Sequence, residues 1–235
     1  MNQQSDHTLK RRGIFITLEG IDGTGKSTQV RLLARHLRER GCRVVATREP
    51  GGTRVGEQVR GILLASRTGK LAPLAELALM YAARAQHLER VVLPALARGK
   101  VVVSDRFNDA SFAYQGCGRK LGVAAVCAFD QVVCGATQPD LTIVLDLSPR
   151  ASLKRAKLRE GRRNSLRGRF EAEGLRFHER VRAGYLAIAR EDPRRVKVVR
   201  ADRPVAEVQA EIRSIVADLL ARKRKRGSGL GIRDS

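Results

Sequence analysis

The stretch Gly20-Ile21-Asp22-Gly23-Thr24-Gly25-Lys26-Ser27 follows directly on the apolar run Ile14-Phe15-Ile16-Thr17-Leu18. It matches the pattern G-x-x-x-x-G-K-[ST], and beyond it Leu32, Leu33 and Leu37 recur among basic residues in a helical pattern that stops at Gly41. A strand, a glycine-rich turn and a helix in that order make a cradle for phosphate. The glycines let backbone N–H groups curl around the oxygens, and the helix adds the positive end of its dipole. In such a cradle Lys26 neutralises the β- and γ-phosphates and the Ser27 hydroxyl sits on Mg²⁺. Gly20, Ile21, Asp22, Gly23, Thr24, Gly25, Lys26, Ser27 and Thr28 are therefore the expected ATP-binding residues. The motif fixes nucleotide binding and leaves the reaction open. With no GTPase-type base-reading motif and a length of 235 residues, short for a motor, a small-metabolite kinase is favoured.

Outward from this stretch, strand-like runs at 14–18, 43–47, 101–104, 141–147 and 196–199 alternate with helical patterns. The patterns lie at 29–40, 55–65, 74–97, 123–133, 149–159, 171–189 and 205–222, with a bend or an early stop expected at Pro94. Strands alternating with helices predict an α/β fold, a five-stranded parallel sheet with helices on both faces. One domain over 13–222 is expected, preceded by a basic N-terminal arm at 1–12 and followed by a basic, disordered tail at 223–235.

The net charge of +22 is unevenly spread: nine basic residues and one acid lie between Arg150 and Arg169, and five consecutive basic residues run from Arg222 to Arg226. Such segments are solvated or meet a polyanion, so weak nucleic-acid contact through the tail is an open reading. Cys42, Cys117, Cys127 and Cys134 have neither paired nor metal-ligand spacing, which fits a reducing compartment. No run has the length of a membrane span and the N-terminal stretch has no apolar signal centre, so a cytoplasmic location and no membrane partner are expected.

Four further segments make a family visible. They are Arg48-Glu49-Pro50-Gly51-Gly52-Thr53, Tyr81-Ala82-Ala83-Arg84-Ala85-Gln86-His87, Ser104-Asp105-Arg106-Phe107 and Ala113-Tyr114-Gln115-Gly116. Together with the glycine-rich stretch, in this order, they resemble bacterial thymidylate kinases, P-loop nucleoside monophosphate kinases, from about residue 14 to 220. The resemblance implies a P-loop NTPase fold with a short mobile lid, here at about 159–171, and transfer of the ATP γ-phosphate to dTMP with Mg²⁺. It also implies a homodimer, which nothing in the spacing requires.

Arg48, at the carboxyl end of a strand, can clamp an acceptor phosphate in two-pronged fashion, with Glu49 and Pro50 beside it. By resemblance Arg106 bridges donor and acceptor phosphates, and Asp105 joins Ser27 and Asp22 around the metal. Asp22 is also compatible with simple turn stabilisation. Arg84 and Gln115 resemble the readers of the polar edge of thymine, and Tyr114 the residue below the sugar. Ser111 touches the sugar or base, or merely starts a helix. The basic internal run matches the lid, where Arg162, Arg163, Arg167 and Arg169 are candidates for a catalytic arginine supplied in cis and Arg169 aligns best. Lys26, Arg106, Asp22 and Arg169 are thus the expected catalytic residues.

Two positions depart from the family pattern. Met80 stands where an aromatic residue commonly stacks on thymine, and Gly168 stands where the lid often carries aspartate. Two other functions fit parts of the sequence. A P-loop kinase for another nucleoside or nucleotide accommodates Met80, and a nucleic-acid-binding protein with ATP as a mere ligand accommodates the charge.

Overall fold

The computed structural model describes residues 13–65, 70–163, 170 and 173–228. Five strands, β1 (Ile14–Glu19), β2 (Val44–Arg48), β3 (Val101–Asp105), β4 (Leu141–Asp146) and β5 (Val196–Arg200), form one sheet in the order β2-β3-β1-β4-β5. Every neighbouring pair is parallel. The central strands read as mostly apolar runs because both their faces are covered. Ile16, Leu18, Val101, Val103, Ile143 and Leu145 enter one core, whereas Phe15 and Val102 enter a second and Val144 a third, on alternating sides.

On the first face lie α1 (Lys26–Glu39) and α9 (Val205–Ser228), meeting through Leu33 and Leu37 on one and Val208, Ile212 and Val216 on the other. The second face carries α3 (Pro73–His87), α4 (Leu93–Ala97), α6 (Val123–Val133) and α8 (Leu175–Glu191). Helix α2 (Arg54–Leu64) packs beside α3, and α7 (Pro149–Arg163) follows β4. No helix among the described residues is long and apolar enough to cross a membrane.

Three expectations change. The pattern at 74–97 is an unbroken helical run that does not stop at Pro94: α3 ends at His87, and a π-helical turn, Leu88–Val92, leads directly into α4. The wider turn absorbs the N–H that Pro94 lacks, upstream of the proline itself. Residues 108–118, unassigned in sequence, form α5 (Asn108–Ser111) continued by a π-helical segment, Phe112–Gly118. Finally, α9 runs to Ser228, so the first six residues of the stretch read as a disordered tail are helical; the rest of that stretch lies outside the described residues.

Candidate active site

A cleft of about 540 Å³ opens along the carboxyl ends of β1, β2 and β3, where the chain leaves β1 for β2 on one side and β4 lies on the other. Asp22, Lys26 and Ser27 line one end, Met80, Arg84, Ser111 and Gln115 the other, and Asp105 and Arg106 the space between. The sequence places these residues far apart; the parallel sheet brings the first and last groups together by ending its strands at one edge, and the helical segments packed over that edge supply Met80, Arg84, Ser111 and Gln115.

The glycine-rich loop joins β1 to α1. Gly23 has φ 87°, and a Cβ there would lie 2.3 Å from the Ser152 carbonyl oxygen, so no other residue fits without displacing α7. Thr24 turns inward, its hydroxyl donating to the Ile21 carbonyl at 3.0 Å, and with Gly20 and Ile21 it shapes the loop from beneath rather than lining the cleft. Lys26 Nζ donates to the same carbonyl at 3.0 Å. Burial and the charge of Arg106 push Lys26 down to about 8, against the pull of Asp22, Asp105 and Glu19. The Ser27 hydroxyl donates to Asp105 Oδ2 at 2.5 Å, which sets two hard oxygen ligands side by side at the cleft. That pair fits Mg²⁺, which takes few protein oxygens and fills its octahedron with phosphate and water.

Arg106 lies at the centre. Its backbone has φ 75°, a left-handed conformation that costs a non-glycine residue about 1–3 kcal/mol. Hydrogen bonds hold it there: its N–H donates to the Leu18 carbonyl at 3.0 Å, and its carbonyl accepts from the Ser104 hydroxyl at 2.7 Å. The guanidinium donates from Nη1 to the Gly20 carbonyl and the Tyr185 hydroxyl, each at 3.1 Å. From Nη2 it donates to Asp22 Oδ1 at 2.7 Å and the Tyr114 hydroxyl at 2.9 Å, and it lies 4.6 Å from the Tyr114 ring centre. Asp22 accepts from Tyr114 as well, at 3.1 Å through Oδ2. Each of its oxygens thus takes one hydrogen bond, which makes Asp22 the partner of Arg106 while it lines the same cleft as Ser27 and Asp105. Burial pushes its pKa up, but Arg106 and Lys26 outweigh that and hold the carboxyl well below the usual range. Beneath, buried Glu19 accepts from the Phe107 N–H at 2.7 Å and from the Tyr185 hydroxyl at 2.8 Å. Burial, against the charge of Arg106, pushes Glu19 up to about 8.

At the far end Arg84 is 2% exposed. Its Nε donates to Glu49 Oε2 at 2.7 Å, Nη1 to the Ser111 hydroxyl at 3.0 Å and Nη2 to the Phe107 carbonyl at 2.9 Å. Each terminal nitrogen carries a second N–H for a ligand. Glu49 is held in turn by His87 Nδ1 at 2.7 Å, whose Nε2 lies 2.7 Å from the Thr47 hydroxyl. Burial raises the pKa of Glu49, yet Arg84 and His87 prevail and keep it ionised. Ser111 ends α5 and supports Arg84, so the helix-start reading is set aside. Gln115 Nε2 donates to Glu76 Oε1 at 2.8 Å, which fixes the orientation of its amide. Met80 reaches the cleft; Tyr81 does not, because its ring lies 4.4 Å beneath the Arg84 guanidinium and its hydroxyl points to Val126 and Asp130.

Arg48 lines the cleft and is paired with Glu57, its single Nη2 shared between the two carboxylate oxygens at 3.0 and 2.9 Å. Pro50 presents its carbonyl to Arg60 Nη1 at 3.0 Å. Arg169, like Arg167 and Gly168, lies outside the described residues, as do the side chains of Arg162 and Arg163.

Residues 18–212 match the family model for thymidylate kinase. The chain belongs to the thymidylate kinase family. A thymidylate kinase of Symbiobacterium thermophilum is 46% identical over 216 residues, covering 92% of this chain and 98% of that one. Another, from Pseudomonas putida, is 50% identical over 211 residues, covering 90% and 100%. The crystal structure of thymidylate kinase from Ehrlichia chaffeensis superposes with a TM-score of 0.71 at 32% identity, covering 88% of this chain and 99% of that one.

Sequence reading missed several cleft residues of this thymidylate kinase-family chain: Arg60, Leu64, Phe107 and Phe170 all line it. Glu19, Glu76 and Tyr185, which hold Arg106 and Gln115, were missed as well. Glu19 had one visible signal, an acid at the end of an otherwise apolar strand. Arg60 and Tyr185 had none, since each sits in a helix whose pattern explains it without a site.

Proposed function

We infer that the protein transfers the γ-phosphate of ATP to dTMP, giving ADP and dTDP on the route to dTTP. The observation that carries this reading is one cleft with a phosphate loop at one end, the Arg84, Ser111 and Gln115 polar cluster at the other, and Arg106 between them. The spacing suits a donor triphosphate and an acceptor nucleotide meeting phosphate to phosphate.

A dTMP phosphate is already anionic near neutral pH, so the acceptor oxygen needs no strong base, and catalysis rests on positioning and fixed cations. Lys26 holds the donor phosphates. Arg48 turns from Glu57 to the acceptor phosphate, and Arg106 spans the two phosphoryl groups. Asp22 holds Arg106 in place, a role its hydrogen bonds support. Ser27 and Asp105 would hold Mg²⁺, whose charge there neutralises the phosphate oxygens. Arg169 in the lid supplies a further cation and closes the site to water. Arg84 and Gln115 read the thymine edge, Tyr114 lies beneath the sugar, and Met80 covers the ring face more loosely than an aromatic would.

By its resemblance to bacterial thymidylate kinases, the enzyme acts in the cytoplasm as a homodimer. The basic end of α9 gives weak, salt-sensitive contact with nucleic acid, separate from catalysis. A coupled ADP-release assay across dTMP, dUMP, dCMP and dGMP tests the central reading. Turnover highest with dTMP is expected, and equal or better turnover with dCMP would overturn it.

A further inference from the structure

Glu19 holds Arg106 at two points. Its Oε1 accepts from the N–H of Phe107, the peptide next to Arg106, at 2.7 Å, and its Oε2 accepts from the Tyr185 hydroxyl at 2.8 Å. That hydroxyl in turn accepts from Arg106 Nη1 at 3.1 Å. One carboxyl group therefore fixes both the backbone at a left-handed residue and, through a tyrosine, the guanidinium that residue carries. Both groups are out of water: Glu19 is 0% and Tyr185 1% exposed. A carboxyl buried at the end of a core strand is costly, and such a group persists where its hydrogen bonds fix something the fold cannot fix by packing alone.

The geometry points to Glu19 and Tyr185 as a positioning pair for phosphoryl transfer, Glu19 orienting Tyr185 and both together setting where the Arg106 guanidinium stands. Neither touches the cleft, and both act through Arg106. Tyr185 belongs to α8, and α8 also packs against the π-helical segment carrying Tyr114 and Gln115. The pair thus ties the placement of Arg106 to α8. A matching arrangement on the other guanidinium edge, Tyr114 between Arg106 and Asp22, lies within the cleft and needs no such explanation.

This inference rests on the reading of Arg106 as the residue spanning the phosphates, and the test separates the two. In Tyr185→Phe, which removes one hydroxyl, kcat should fall about tenfold while KM for ATP and dTMP stays within about twofold, because the affected charge matters most in the transition state. In an Arg106→Ala background the same change should cost less than about twofold, since the route of its effect is gone. Glu19→Leu should lower kcat further than Tyr185→Phe, and Glu19→Gln, which keeps an acceptor for Phe107 and a polar partner for Tyr185, should recover most of it. Calorimetric binding of dTMP by each variant reports whether the site is folded; if Glu19→Leu fails to fold, Tyr185→Phe and the double variant still decide. A Tyr185→Phe enzyme with parental kcat, a loss confined to KM, or losses that multiply in the Arg106→Ala background would each overturn the proposal. An Arg106→Ala enzyme with near-parental kcat would instead overturn the role given to Arg106.

Discussion

Arg106 Nη2 stands 2.7 Å from Asp22 Oδ1, so the arginine that follows β3 is tied to an acid inside the glycine-rich loop that follows β1. The pair spans the two neighbouring strand ends at which the phosphates of donor and acceptor would meet. A mobile arginine there would have to be ordered at each turnover, whereas one held by Asp22 and two tyrosines is ordered beforehand.

Arg106→Ala should lower kcat by about 10²- to 10³-fold, more than it raises KM for dTMP, because the charge it supplies is needed most as the phosphoryl group moves. Asp22→Asn, which keeps an acceptor for Arg106 but loses the charge, should fall between Arg106→Ala and the parent. Steady-state kinetics check both. A loss expressed only in KM would make Arg106 an acceptor-binding residue.

The depressed pKa of Lys26, about 8, gives a pH dependence. The lysine is charged below that value and loses its charge as pH rises through it in the free enzyme. Above about pH 8, kcat/KM for ATP should therefore decline toward tenfold per pH unit, while kcat at saturating ATP holds to higher pH because bound phosphate favours the protonated form. Lys26→Arg should remove the decline, at reduced activity. A profile flat to about pH 10 in the parent would rule out this titration.

Base selectivity should follow Arg84 and Met80 differently. dCMP presents an amino donor where thymine presents a carbonyl, and facing that donor with the buried guanidinium costs about 1–3 kcal/mol, a discrimination of roughly 5- to 150-fold. dUMP lacks only a methyl group, worth about 1 kcal/mol. Met80→Phe should sharpen the preference for dTMP over dUMP more than that over dCMP. Values of kcat/KM for the three nucleotides in parent and variant decide the matter, and an unchanged dUMP ratio would detach Met80 from the ring face.

Glu49→Leu should destabilise the protein outright, since it leaves Arg84 charged and buried without its carboxylate. Breaking a buried pair from one side costs about 3–5 kcal/mol. For a chain of this size that lowers Tm by roughly 6–20 °C. Thermal unfolding with and without dTMP measures it, and a drop under about 2 °C would show that Arg84 finds another partner.

The sequence by itself determined the fold class, the loop and most of the cleft. Periodicity of two against 3.6 separated strands from helices, and three of the five motifs fall where β1, β2 and β3 end, because in a parallel sheet every carboxyl end lies on one edge; the other two lie on α3 and the π-helical segment Phe112–Gly118. Arg48, Asp105 and Arg106 line the cleft for that reason, and the helical segments packed over that edge add Arg84, Ser111, Tyr114 and Gln115. What the sequence could not express is which partner each charged group takes. Asp22 turns to Arg106, 84 residues away, Ser111 to Arg84, 27 away, and Arg48 to Glu57, nine away, choices fixed only when the elements pack. The pairings beneath the cleft, Glu19 with Tyr185 and Glu49 with His87, were equally invisible, because a buried polar residue carries in the sequence no mark of the partner it will take. Only folding, by removing water from both partners at once, makes their pairing the lowest-energy arrangement.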